Sequence, residues 1–134
     1  MARFSSDGKW VAYVSNESGR DEVYVQSFPA SGGKWQVSTN GGFTPRWRGD
    51  GKELFYIAPD RKIMSVEVKA GATIFEVSSP RGLFEAPVDA PAGTNRYDIS
   101  PDGQRFLVNA PAENTSSSSM TVVLNWLAGV KSER

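Results

Sequence analysis

The sequence predicts an all-β chain: a partial β-propeller of about three four-stranded antiparallel blades, the last of them incomplete. Three observations predict it. The ten-residue phrase "DGKWVAYVSN" at 7–16 returns as "DGKELFYIAP" at 50–59 and "DGQRFLVNAP" at 102–111. The copies lie 43 and then 52 residues apart, close to the period of a four-stranded propeller blade. Aligned on Asp-Gly, the phrases give apolar columns of Val11, Leu54 and Phe106, then Ala12, Phe55 and Leu107, then Tyr13, Tyr56 and Val108. Unbroken apolar columns suit strands covered on both faces, whereas a strand with one wet face alternates.

Each element follows from these anchors. Before every Asp-Gly runs an inner strand, "ARFSS", "PRWRG" and "RYDIS", and after it the second strand of the blade. Third strands follow as "EVYVQSF", "KIMSVEV" and "MTVVLNW", and fourth strands as "KWQVST" and "TIFEVSS" in the first two copies alone. The boundaries are therefore 2–39, 43–79 and 94–127 within a single half-propeller over 1–134, the last unit lacking its fourth strand. The pairs Asp7-Gly8, Asp50-Gly51 and Asp102-Gly103 read as tight primed hairpin turns, because Asp-Gly tolerates the positive dihedrals those turns require. Phe4, Trp47 and Ile99 align as an apolar column of the inner strands, expected between blades. Arg3, Arg46 and Asp98 form the neighbouring column, where Arg46 and Asp98 can pair across adjacent blades. Trp10 and Trp35 fall in columns that are polar elsewhere, and are expected at the surface.

Composition narrows the chemistry. Fifteen basic and fifteen acidic residues balance, with no long run of one sign, so neither a nucleic-acid partner nor a basic membrane-surface helix is expected. No apolar stretch reaches the 18 residues needed to span a bilayer as a helix, and "MARFSSDGKW" has no signal-peptide core. The chain has no cysteine and no histidine. That removes thiol nucleophiles, the commonest metal ligand, and the usual base beside a catalytic serine. The expectation is a non-enzymatic chain with no catalytic residues, no metal and no cofactor.

The phrases "RFSSDGKWVAYVSN" and "YDISPDGQRFLVN" resemble the TolB-like (tryptophan-aspartate-repeat-like) bacterial β-propeller repeat, whose signature is an apolar residue, Ser-Pro-Asp-Gly and an apolar strand. Ser6 and Gly49 replace the proline in the first two copies. "WQVSTNGGFTPRWRGDGKELFYIAPD" and "TVVLNWLAGVKSER" further resemble the propeller region that follows the kinase domain in bacterial serine/threonine kinases. The resemblance implies a six-bladed ring closed by two chains as a homodimer, and a bacterial setting on the periplasmic or other extracytoplasmic side.

Longer irregular loops gather at the end opposite the Asp-Gly turns: 16–21, 39–43, 59–61, 79–95 and 111–119. Loops carried by a rigid scaffold are where binding groups concentrate, so a protein or peptide partner is expected at this end or in the axial channel. The candidate contact residues are Asn16, Arg20, Asp21, Arg61, Asn95 and Arg96. Alternatives are a structural fragment whose activity is self-assembly, and a gating or accessory propeller of a peptidase or kinase.

Overall fold

The structure is a computed structural model that describes residues 2–30, 33–71, 75–86, 97–111 and 118–124. Every regular element among them is a β-strand, and every pairing is antiparallel. The first sheet runs in chain order through β1 (Ala2–Phe4), β2 (Trp10–Ser15), β3 (Glu22–Ser27) and β4 (Lys34–Gln36). The second contains β5 (Phe43–Trp47), β6 (Glu53–Ile57), β7 (Lys62–Ala70), β8 (Phe75–Val77) and β9 (Arg81–Glu85). The third holds β10 (Tyr97–Ile99), β11 (Arg105–Pro111) and β12 (Ser118–Leu124).

The second sheet departs from the sequence expectation. Residues 79–95 were expected as a loop, yet β9 pairs with the first half of β7 while β8 pairs with the second. Together β8 and β9 trace one interrupted outer strand, with a register shift opposite Ile63 and Met64. Leu83 and Ala86 explain it: both are buried, so the segment carries core side chains that a solvated loop would waste.

The Asp-Gly turns also differ from the primed form. The positive dihedral falls on the glycine, with φ of 71° at Gly8, 74° at Gly51 and 72° at Gly103, while no aspartate among them adopts it. Each glycine N–H donates to the carbonyl three residues back, on Ser5, Arg48 and Ser100. This is a type I turn followed by a left-handed glycine, the arrangement of slightly longer hairpin loops. The aspartate acts as an acceptor instead. Asp7 Oδ1 takes the Ser5 hydroxyl at 2.6 Å and the Lys9 N–H at 3.0 Å, and Asp102 takes Ser100 at 2.5 Å and the Gln104 N–H at 3.0 Å. In the middle copy Arg48 replaces the serine and grips Asp50 through two bonds of 2.7 and 2.8 Å.

Two apolar layers join the sheets. Ala12, Val23, Val25 and Val37 of the first sheet pack on Leu54, Tyr56, Val66, Val68 and Phe75 of the second. Phe55, Ile57, Ile63 and Leu83 on the second sheet's other face pack on Tyr97, Phe106 and Val108 of the third. Trp10 and Trp35, expected at the surface, sit half-buried against the first layer, their rings within 5.6 Å of each other and 4.7 and 5.0 Å from Phe75. Phe75 reaches them from the interrupted outer strand, a neighbour that column alignment does not reveal.

Gly49, which stands where the repeat favours proline, has a local cause. Its N–H donates to the Pro101 carbonyl of the next turn at 2.8 Å, and a Cβ there would lie 2.8 Å from the same oxygen. Proline could neither donate that bond nor fit beside it.

Candidate functional site

Two of the concave sites among the described residues are candidates, one among the inner strands and one at the loop-rich end. In the first, β1, β5 and β10 each contribute two residues to a cavity of 300 Å³: Arg3 and Phe4, Arg46 and Trp47, Tyr97 and Asp98. Five of these six come from the aligned columns of the sequence; Tyr97 takes the place of Ile99, which packs against the second apolar layer instead. Phe4 is 56% exposed in the single chain.

Hydrogen bonds between sheets fix the cavity's walls. Trp47 Nε1 donates to the Arg3 carbonyl at 2.9 Å, and the Tyr97 hydroxyl donates to the Thr44 carbonyl at 2.8 Å. Thr44 adopts φ 53°, uncommon for a β-branched residue, at the register shift that bends β5. Pro45 follows in the same irregularity, where a missing N–H costs no ladder bond. Arg46 is buried; its guanidinium lies 5.6 Å from the Tyr97 ring centroid, 3.0 Å from the Pro45 carbonyl and 3.9 Å from exposed Asp98. Burial pulls the Arg46 guanidinium below the usual arginine range; Tyr97 and Asp98 oppose that shift, and Arg3 adds to it. Burial likewise pushes the Tyr97 phenol upward.

The second site is a cleft of 470 Å³ bounded by Thr39–Gly41, Ala58–Asp60, Lys62, Met64, Pro80 and Gly82, with Tyr56 in its wall. Its first wall is anchored by buried Glu22, which accepts from the Gly41 N–H at 3.0 Å, the Arg20 Nε at 2.8 Å and the Ser38 hydroxyl. Such bonding answers the desolvation of a buried carboxylate. Gly41, at φ 92°, seats this wall on Pro59, since a Cβ would come within 2.5 Å of the proline ring. Tyr56 is buried and no described residue hydrogen-bonds its hydroxyl; burial, then the charge of Glu22, pushes its pKa up to about 12.

None of the described contact residues expected from sequence lines this cleft. Arg20 is spent on Glu22 and on the Thr39 carbonyl at 2.7 Å. Asp21 receives the Gly42 N–H on its backbone carbonyl, and Asn16 receives the Gly19 N–H in the same manner. Arg61 stands at the rim with φ 70° and pairs with Glu85 at 3.5 Å. Asn95 and Arg96 lie outside the described residues. Tyr56, Met64 and Lys62 were missed because they sit in strands, and their periodicity marks them only as strand residues.

No protein-family model matches the sequence, and no curated protein does. Solved structures do match in shape. TolB from Acinetobacter baumannii superposes with a TM-score of 0.63 at 16% identity over 92% of this chain and 29% of its own. A tricorn protease gives 0.57 at 15% identity, covering 90% of this chain and 11% of the protease. A protein from Bacteroides uniformis provisionally named a 6-phosphogluconolactonase gives 0.52 at 17% identity, covering 92% of this chain and 39% of that one. The chain thus spans less than half the length of each of these structures. Identities this low speak for fold alone, and they lend no support to the kinase resemblance. The match to TolB carries the conclusion on fold: this chain has a TolB-like β-propeller fold.

Proposed function

We propose that the chain is a non-catalytic propeller module that binds a protein or peptide at its loop-rich end. The observation that carries this reading is the cleft around Tyr56. It combines apolar walls from Ala58, Pro59, Met64 and Pro80 with polar groups on Thr39, Asn40, Asp60 and Lys62. Few convergent polar groups on an apolar floor is the usual make-up of a ligand cleft. Its first wall is held by buried Glu22, so the site is preformed, which lowers the ordering cost of binding.

Peptides selected on the protein from a random display library test this. Those that bind the cleft lose affinity for Met64→Arg, which fills the floor, while thermal unfolding of the variant stays near that of the parent. Selected peptides that bind parent and variant equally overturn the reading.

The same proposal includes assembly. The sheets act as three blades, and two chains close a six-bladed ring. Support comes from apolar groups on the outer flanks: Phe4 and Phe28 are 56% and 53% exposed and stacked edge to face at 5.0 Å, and Leu107 on the third sheet is 38% exposed. Light scattering is expected to give the mass of two chains, and that of one chain for Phe4→Asp with Leu107→Asp. A monomeric parent protein overturns this part. A second reading, an accessory propeller attached to a peptidase, draws on the fold match to tricorn protease; catalysis would then reside outside these 134 residues. A bacterial extracytoplasmic setting and a kinase parent rest on the sequence resemblance alone.

A further inference from the structure

We infer that the loop-end cleft selects an uncharged, extended stretch of peptide through two contacts: the Tyr56 hydroxyl donating to one main-chain carbonyl, and an apolar side chain seated over Gly82. The inference rests on the peptide reading proposed above and names what the cleft selects. Tyr56 and Met64 are register partners across β6 and β7, and Met64 and Gly82 across β7 and β9, so the three form one row along the cleft. The row ends without a side chain. Gly82 lies beside the register shift of β9, but its φ is not positive. A Cβ there would meet only the Lys62 and Met64 side chains, at 3.6 and 3.7 Å, which is ordinary contact. Backbone geometry therefore does not require glycine, and glycine inside a strand weakens it. What Gly82 leaves is an open place beside Met64, sized for a side chain supplied by a ligand.

At the other end of the row Tyr56 is 2% exposed, and no described residue hydrogen-bonds its hydroxyl. A buried hydroxyl without a partner is costly, and a ligand acceptor removes that cost. Burial and then the charge of Glu22 hold its pKa at about 12, so at neutral pH it donates. The same charge disfavours an anionic acceptor. At the rim Lys62 and Asp60 lie 3.8 Å apart and offset each other, which leaves the lining of the cleft without net charge. Two strand spacings, about 10 Å, separate the ends of the row, the span of about three extended residues.

The probe is the tightest peptide from the random display library whose binding to the full chain is lost with Met64→Arg, measured by calorimetry. Gly82→Leu fills the open place and is expected to weaken that peptide at least about a hundredfold. Its melting temperature is expected to equal or exceed the parent's, because a strand glycine gains a side chain. Tyr56→Phe removes only the hydroxyl and is expected to weaken the peptide about tenfold without lowering the melting temperature. Raising sodium chloride is expected to change affinity by less than about twofold. Replacing the peptide's amides one at a time with an alkene isostere locates the acceptor: at the contacting position the isostere costs the parent about tenfold and Tyr56→Phe nothing further. A peptide that binds Gly82→Leu or Tyr56→Phe as it binds the parent overturns the inference and leaves the peptide reading standing, and so does a steep loss of affinity in salt. If no selected peptide responds to Met64→Arg, the peptide reading and this inference fall together.

Discussion

The three second strands carry matching residues in different company. In the column Val11, Leu54 and Phe106, the last two are fully buried while Val11 is half-exposed. In the next column the pattern reverses: Ala12 and Phe55 are buried, and Leu107 is 38% exposed. Among the described residues the middle sheet is covered on both faces, and each outer sheet on one. The flank of the first sheet is not simply apolar, however. Tyr13 stacks on Tyr24 at 5.8 Å, Gln26 occupies the register position that Val66 fills in the middle sheet, and Lys34 lies 5.6 Å from the Tyr24 ring. Equivalence in a repeat therefore fixes backbone and pairing, while the neighbour decides what a side chain contributes.

The largest effect that sharpens this contrast is in the covered layers. Phe55→Ala and Leu54→Ala are each expected to cost about 3–5 kcal/mol in urea unfolding, from lost burial plus a cavity. Their counterparts on the outer sheets, Leu107→Ala and Val11→Ala, are expected to cost about 1 kcal/mol or less in a single chain and more where the proposed second chain covers the flanks. Losses that grow with protein concentration would therefore support the dimer, and small losses at every concentration would count against it.

Next comes Glu22→Ala, expected to cost about 3 kcal/mol because it leaves the Gly41 N–H, the Ser38 hydroxyl and Arg20 without their acceptor. Faster amide exchange at Gly41 would place the loss in the cleft wall.

The turns give a smaller comparison within one motif. All three glycines have positive φ, so alanine costs about 1 kcal/mol at each. At Gly103 a Cβ would also lie 2.8 Å from the Arg48 side chain, whereas at Gly8 it meets nothing within 4 Å. Gly103→Ala should therefore lower the melting temperature more than Gly8→Ala, and the reverse order would show that the turns do not interlock.

Smallest is the acid dependence of the same turns. Ser5 and then the Lys9 N–H hold Asp7 below the usual carboxylate range, Ser100 and the Gln104 N–H do so for Asp102, and Arg48 takes Asp50 to about 2. Folded values below unfolded ones mean that the unfolded chain binds more protons in acid. Stability from these groups is present above about pH 4 and is lost as pH falls towards 2, with the exposed pair at Asp50 contributing little. Asp50→Asn is expected to flatten the urea midpoint's slope over that range, and an unchanged slope would exclude this turn as a source.

By itself the sequence determined strand order and the repeat. Apolar columns specify strands, glycine marks the left-handed position, and short turns leave antiparallel neighbours as the economical pairing. The aligned columns Phe4/Trp47/Ile99 and Arg3/Arg46/Asp98 were legible as an inter-blade layer and a charge pair, whereas Tyr97, which lines the inner-strand cavity in place of Ile99, was not. Tertiary structure alone decided the rest. The turn type depended on the aspartate finding donors in its own loop, and β9 on Leu83 and Ala86 finding a core. Trp10 and Trp35 became half-buried because Phe75 arrives from another sheet, and Glu22 took its role from a backbone N–H 19 residues away. Periodicity reports the face a residue occupies along its own strand. Which partner waits across that face is set by contacts distant in the chain, and there the cleft and the buried charges were made.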